Sequence, residues 1–322
     1  MVIYSTLINI MNLKSVVMIS KHIIKRLLIV ILFTSAINYA QQDPQYTQYM
    51  YNTMSVNPGY AGSMEHMVIN ALHRSQWVGL EGAPKTQTFA LHSPLKKNVG
   101  LGLSVINDNL GPSNETYLDA NFSYTVKTAD NNNLAFGLKA GARFFDVDFS
   151  KGLYQVPEQI FDQNINEIFL TIGAGAFYYS DKWYVGLSVP NFITNEYFDN
   201  VSVSIDKERL HYYLIGGYVF NLNNNVKFKP AVLAKAVSGA PWIADISANF
   251  LFNEKFTFGT AYRFGDAFSV LTGFQINKNL NIGYAYDMTT TDLKHYSNGT
   301  HEFLLRYEFI KKTNVIKSPR FF

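Results

Sequence analysis

The residues that could do chemistry are few and badly placed for it. The seven histidines, His22, His66, His73, His92, His211, His295 and His301, form no HExxH and no close ligand set with carboxylates. His92 and Ser93 are adjacent, but neighbours on an extended chain point to opposite faces and cannot act as base and nucleophile. Gly100-Leu101-Gly102-Leu103-Ser104-Val105 lacks the third glycine of a nucleotide loop and reads as strand interior, where its glycines ease packing within a wall. The chain has no cysteine, which excludes disulfides, thiolate catalysis and thiolate metal sites. The expectation is a non-enzyme with no catalytic residue, metal or cofactor.

The remaining charges follow a pattern. Lys139, Arg143, Lys235, Asp245 and Arg306 each sit between apolar neighbours in an alternating run, and Glu302 precedes the apolar Phe303 in another. In Trp242-Ile243-Ala244-Asp245-Ile246-Ser247-Ala248-Asn249-Phe250-Leu251-Phe252, the even positions are apolar while 245, 247 and 249 are polar. The same rhythm runs through Leu280–Met288 and through Ile168, Leu170, Ile172, Ala174 and Ala176 against Phe169, Thr171, Gly173 and Gly175. Side chains alternate across a strand, so each segment has one greasy and one polar or small face.

Strands are expected at about 66–76, 85–94, 98–107, 115–127, 133–147, 167–180, 182–190, 209–221, 225–237, 242–252, 255–265, 268–277, 279–288 and 299–310. Their greasy faces need one apolar surrounding, a sandwich core or a lipid bilayer. Tight turns such as Leu95-Lys96-Lys97, Asn131-Asn132-Asn133, Asn253-Glu254 and Asn277-Lys278 alternate with connections that include long loops near 148–166, 191–208 and 289–298. Short turns at one end and longer loops at the other are the habit of an outer-membrane barrel, and a sandwich has no reason to sort them. The fold expected is therefore all-β, a transmembrane antiparallel barrel of about fourteen strands in the bacterial outer membrane. The greasy face then turns to outer-membrane lipid, and the six charged residues line a polar lumen. Aromatics near strand ends, among them Trp77, Phe145, Tyr178, Tyr179, Trp183, Phe220, Trp242, Phe252 and Phe256, suit interfacial girdles.

Composition agrees. Aromatics make up 15% and charged residues only 16%, against about 25% charge in average soluble domains. A net charge of +3 gives no argument for nucleic acid. At the N-terminus, Lys21, Lys25 and Arg26 precede Leu27-Leu28-Ile29-Val30-Ile31-Leu32-Phe33 and small residues to Ala40, the pattern of a secretory signal peptide over 1–40. Translation starting at Met11 or Met18 would shorten its overlong basic region. Residues 41–65 form an ordered arm lying in or under the barrel, rich in Gln and Tyr and broken by the turn Asn57-Pro58-Gly59, and 66–322 form the barrel.

The arm Gln42-Asp43-Pro44-Gln45-Tyr46-Thr47-Gln48-Tyr49-Met50-Tyr51-Asn52, with Asn57-Pro58-Gly59-Tyr60-Ala61-Gly62-Ser63, resembles the opening of the PorP/SprF family of the Bacteroidetes type IX secretion and gliding machinery. So do Arg74-Ser75-Gln76-Trp77-Val78-Gly79 with Gly82-Ala83-Pro84, Tyr184-Val185-Gly186-Leu187-Ser188-Val189-Pro190, Lys235-Ala236-Val237-Ser238-Gly239-Ala240-Pro241 and the terminal Ser318-Pro319-Arg320-Phe321-Phe322. Gly59 stands where the family more often has Ala, and Phe321 where Tyr is common. The resemblance implies an outer-membrane barrel of the type IX secretion system that supports export or surface anchoring of a large secreted protein of the gliding-adhesin type. Its implied partners are type IX components or a substrate with a C-terminal sorting domain, and the resemblance supplies no catalytic residue. Partner contacts are expected at Tyr46, Tyr49, Asn57, Pro58, Arg74, Gln76, Trp77 and Pro84, with a passive porin-like channel as the alternative role.

Overall fold

The computed structural model describes residues 44–96, 98–151, 164–193, 210–237 and 241–310. The expected signal peptide, the terminal Phe322, and the centres of the loops near 148–166 and 191–208 lie outside these residues.

The alternating segments form β1 (Val68–Ser75), β2 (Lys85–Lys96), β3 (Val99–Leu110), β4 (Ser113–Ala129), β5 (Asn132–Val147), β6 (Ile165–Tyr179), β7 (Trp183–Val189) and β8 (His211–Tyr218, resuming at Phe220–Asn221). They continue as β9 (Val226–Val237), β10 (Ile243–Phe252), β11 (Phe256–Arg263), β12 (Ala267–Gln275), β13 (Leu280–Thr289) and β14 (Thr300–Glu308). Every strand pairs antiparallel with its sequence neighbours, and β14 returns to β1 with Val68 opposite Glu308 and Ser75 opposite His301. The result is a closed barrel of fourteen strands, which leaves no edge running its full height.

Short turns gather at one end. The turn Asn253-Glu254 has both residues at positive φ, 50° and 56°, as a two-residue hairpin matching the strand twist requires. The opposite end carries the connections 76–84, 148–164, 190–210 and 290–299. Two strands run further than the alternation indicates: β3 and β4 continue to Leu110 and Ser113, joined only by Gly111-Pro112. Their last pairs are polar and invisible to a hydrophobic pattern, but Asn107 donates to Asn114 and Thr116 at 2.7 and 2.8 Å and carries the ladder upward.

The outer face is apolar, with Leu103, Leu118, Phe136, Leu138, Ile168, Leu187, Ile246 and Phe303 all exposed. Phe145 and Tyr179, expected in the girdles, instead point inward and are buried. Phe145 lies 5.5 Å from the Arg143 guanidinium, and Tyr179 packs 5.3 Å from Phe177. Their parity along the strands puts them on the inner face, and that overrides their position near strand ends.

Candidate functional site: a lumen filled by the N-terminal arm

The barrel encloses a segment of its own chain. Residues 44–65 thread the lumen from the long-loop end, where Gln45 donates to Asp245 at 2.9 Å, to the short-turn end, where Met64 meets Arg306 and β1 begins. The arm has little regular structure beyond two single 3-10 turns, Thr53–Ser55 and Pro58–Tyr60. Turn bonds such as Tyr51 N–H to Gln48 O and Tyr60 N–H to Asn57 O satisfy part of its backbone, and the rest is left to the wall.

The wall does so with side chains placed for the purpose. Both carboxylate oxygens of Glu302 accept from the arm, one from the Thr47 N–H at 2.9 Å and the other from the Gln48 N–H at 2.8 Å. Arg74 bridges Glu302 at 2.9 Å and Asp287 at 2.8 Å, and the Thr47 hydroxyl sits against Asp287 at 2.8 Å. Two acids around one guanidinium, with arm donors on their remaining lone pairs, make a buried ionic cluster in which each charge is answered. Farther along, Ser188 donates to the Val56 carbonyl and Ser123 to the Ala61 carbonyl, both at 2.6 Å. Asn57 caps its own turn, accepting from the Gly59 N–H at 2.9 Å, while its amide donates to the Ala176 carbonyl at 3.0 Å. His92, which the sequence offered as a poor catalyst, accepts from the Gly62 N–H at 3.4 Å and meets the edge of Tyr60.

Steric fit completes the seat. At Gly137 a Cβ would lie 2.1 Å from the Gly59 nitrogen, and at Gly100 it would lie 2.2 Å from the Ala61 oxygen. The glycines of the Gly100-Leu101-Gly102 run thus let the arm's backbone and the Met54 thioether lie directly on the wall. Arm and wall also share one apolar cluster, in which Tyr46, Tyr49, Met50, Met54 and Tyr60 pack against Val68, Leu72, Phe177, Tyr184 and Ile215.

Each expected residue can now be placed. Lys139, Arg143, Lys235, Asp245, Glu302 and Arg306 are all buried on the inner face. Lys139 pairs with Asp119 at 3.1 Å, Arg143 with Glu115 at 3.2 Å, Asp245 with Arg263 at 2.9 Å and Arg306 with Glu308 at 2.9 Å, while Lys235 lies 5.8 Å from the Tyr213 ring. The lumen is thus a core with both ionic and apolar parts, more apolar than the polar lining expected for it. Tyr46, Tyr49, Asn57, Pro58 and Arg74 are also inside it, facing this chain's own wall. These residues are expected partner contacts, and here their neighbours are other parts of this chain.

Gln76 and Trp77 stay partly exposed, whereas Pro84 is buried. Their loop is structured, with Gln76 N–H bonded to Pro84 O at 2.9 Å, Val78 N–H to Gly299 O at 2.8 Å and Gly111 N–H to Gly82 O at 2.9 Å. Residues the sequence reading did not single out include Asp287, Ser188 and Gly137. Their inward parity was visible, but not the segment they receive.

The sequence matches the family model described as type IX secretion system membrane protein PorP/SprF over residues 38–307. This chain belongs to that family. The PorP/SprF barrel is similar in fold to other barrels of known structure. The CymD monoaromatic hydrocarbon channel aligns at a TM-score of 0.50 with 11% identity, covering 80% of this chain and 92% of that one. A Pseudomonas aeruginosa FadL homologue aligns at 0.46 with 11% identity, covering 83% and 95%. The Acinetobacter baumannii outer membrane protein Omp33 aligns at 0.46 with 10% identity, covering 76% and 99%. No curated protein sequence matches the chain. Family and fold together make it an outer-membrane β-barrel of the type IX secretion family, a class of membrane barrel and not of known enzymes.

Proposed function

We propose that this protein is a non-enzymatic docking barrel, which supports export or surface anchoring of a large secreted protein by binding it or a type IX component at the long-loop end. The observation that carries the reading is the occupied lumen. Hydrogen bonds, ion pairs and glycine seats bind residues 44–65 along the whole bore, which suits a barrel that presents its rim to a protein better than one that passes solute. Long loops of outer-membrane barrels face the cell exterior, so the Gln76–Pro84 connection with Trp77 would face an exported partner.

The test is purification of the tagged, intact chain from native membranes, with identification of the chains that accompany it. A large secreted protein or a type IX component should co-purify. Recovery of the barrel alone, with a steady ion-selective conductance in planar bilayers, would overturn the docking reading in favour of the second one. That second reading, a passive channel, draws support from the fold shared with CymD, itself described as a channel.

A further inference from the structure

The barrel wall has one stretch of open edge. β6 pairs with β5 along its whole length, from Ile165 opposite Val147 to Tyr179 opposite Asn133. On its other side it pairs with β7 only from Ala174 to Tyr179. β7 ends at Val189, and Asn191 and Phe192 replace the regular ladder beyond it. The last contact is improvised, with the Ile172 N–H on the Asn191 side-chain oxygen at 3.3 Å and the Ile172 carbonyl on the Phe192 N–H at 2.7 Å. Beyond that, the N–H and C=O of Leu170, Ile168 and Asn166 point to the same side by strand alternation. Among the described residues none of these six groups has a hydrogen-bonding partner.

This edge has little of the usual protection, with Glu167 its one charged residue. It extends roughly 20 Å from Ile165 to Thr171. Its outer face is Ile168, Leu170 and Ile172, exposed to 67%, 66% and 48%; the first two are the most exposed aliphatic side chains among the described residues. Open edges in soluble surroundings are kept short, charged or bulged, and in lipid bare backbone groups do not occur. In lipid the row would be unsatisfied and in water only solvent holds it, so its donors and acceptors match another extended backbone.

We propose that the Ile165–Thr171 edge of β6 receives an extended segment of a different protein by strand addition. The added segment would carry apolar residues at alternate positions, flush with Ile168 and Leu170 on the outer face. A second copy of this chain fits poorly: two barrels in one membrane share an orientation, so their β6 edges run parallel, and a two-fold along the membrane normal sets donor against donor. The proposal rests on the docking reading and gives that reading a place on the molecule.

The chain has no cysteine, so single cysteines can report on the edge in native membranes. Ile168→Cys, carrying a short photo-crosslinker, should join to a heterologous chain, whereas Leu138→Cys on the lipid-facing side of β5 should not. Leu170→Pro removes one edge donor without touching the β5 ladder, and should lower the Ile168 crosslink about tenfold. Crosslinking to a second copy, no crosslink at all while the pull-down still recovers a partner, or a yield unchanged by Leu170→Pro would each overturn strand addition. If the pull-down itself recovers no partner, the docking reading has failed instead, and that outcome removes the occupant proposed here as well.

Discussion

The lumen and the upper edge of β6 treat backbone polar groups in opposite ways. Inside, an irregular arm of some twenty residues bonds partly to its own turns and partly to the wall: Glu302 takes two of its N–H groups, and Ser188 and Ser123 each serve one of its carbonyls. Outside, three consecutive outward-pointing positions of a regular strand, Asn166, Ile168 and Leu170, present groups that nothing in the described chain meets. The same wall can evidently supply serines, carboxylates and glycines where a segment needs them. The bare stretch of β6 is therefore not a failure of available chemistry. The arm's backbone finds its partners within the described chain, and the β6 row does not.

The contrast can be broken first at its tightest point. Glu302→Ala leaves the Arg74 guanidinium and two arm N–H groups short of their partner in a buried site, and should cost about 3–5 kcal/mol. The folded barrel's resistance to heat in detergent, followed by the gel-mobility change on unfolding, should fall markedly. If the variant melts like the parent, the arm is not held by the ionic cluster.

Gly137→Val comes next. Its Cβ would fall 2.1 Å from the Gly59 nitrogen and 2.3 Å from the Pro58 carbonyl carbon, both backbone atoms that cannot swing aside. Overpacking of this kind costs about 1–3 kcal/mol, and the cheapest relief is for the arm to lift off the wall. Expected outcomes are protease cleavage within 44–65 and new conductance in bilayers, with the barrel still closed. A smaller effect follows from Ser188→Ala, which deprives the Val56 carbonyl of its 2.6 Å donor and should cost about 1 kcal/mol in the same melting assay.

How far these features could be read from sequence follows from their range. Alternation is local, so strands, faces and the inward parity of Glu302, Arg306, Lys139 and Asp245 are legible from a dozen residues at a time. The arm is legible as something apart, because Gln45-Tyr46-Thr47-Gln48-Tyr49 lacks the rhythm. Its seat is less so: Gly100, Gly137, Gly175 and Gly186 stand on inner faces, but only the registers show that they meet residues 57–61. What Asn57 meets inside the chain is not legible locally, because its bond to the Ala176 carbonyl spans 119 residues. The open edge of β6 is illegible for another reason. It depends on where β7 stops pairing, at Val189 opposite Ala174, and alternation alone does not mark that point.

The smallest expected effect is the most discriminating. Leu138 and Leu170 are similarly exposed on the outer face, at 60% and 66%, so replacing either with proline removes nearly the same side chain from nearly the same surroundings. Leu138 lies within β5, paired with Phe122 on one side and Ala174 on the other, so proline there must break a ladder bond and should cost about 3 kcal/mol or block folding. Leu170 pairs with Ala142 on the β5 side, but its N–H points to the open side. Proline there loses no bond within the chain and should shift melting of the isolated barrel by less than about 0.5 kcal/mol. Equal losses at the two positions would mean that the Leu170 N–H is already engaged within the chain, and the distinction between a satisfied lumen and a waiting edge would collapse. A large loss at Leu138 with almost none at Leu170 would leave the edge donor idle in the isolated protein, and available to a strand from outside.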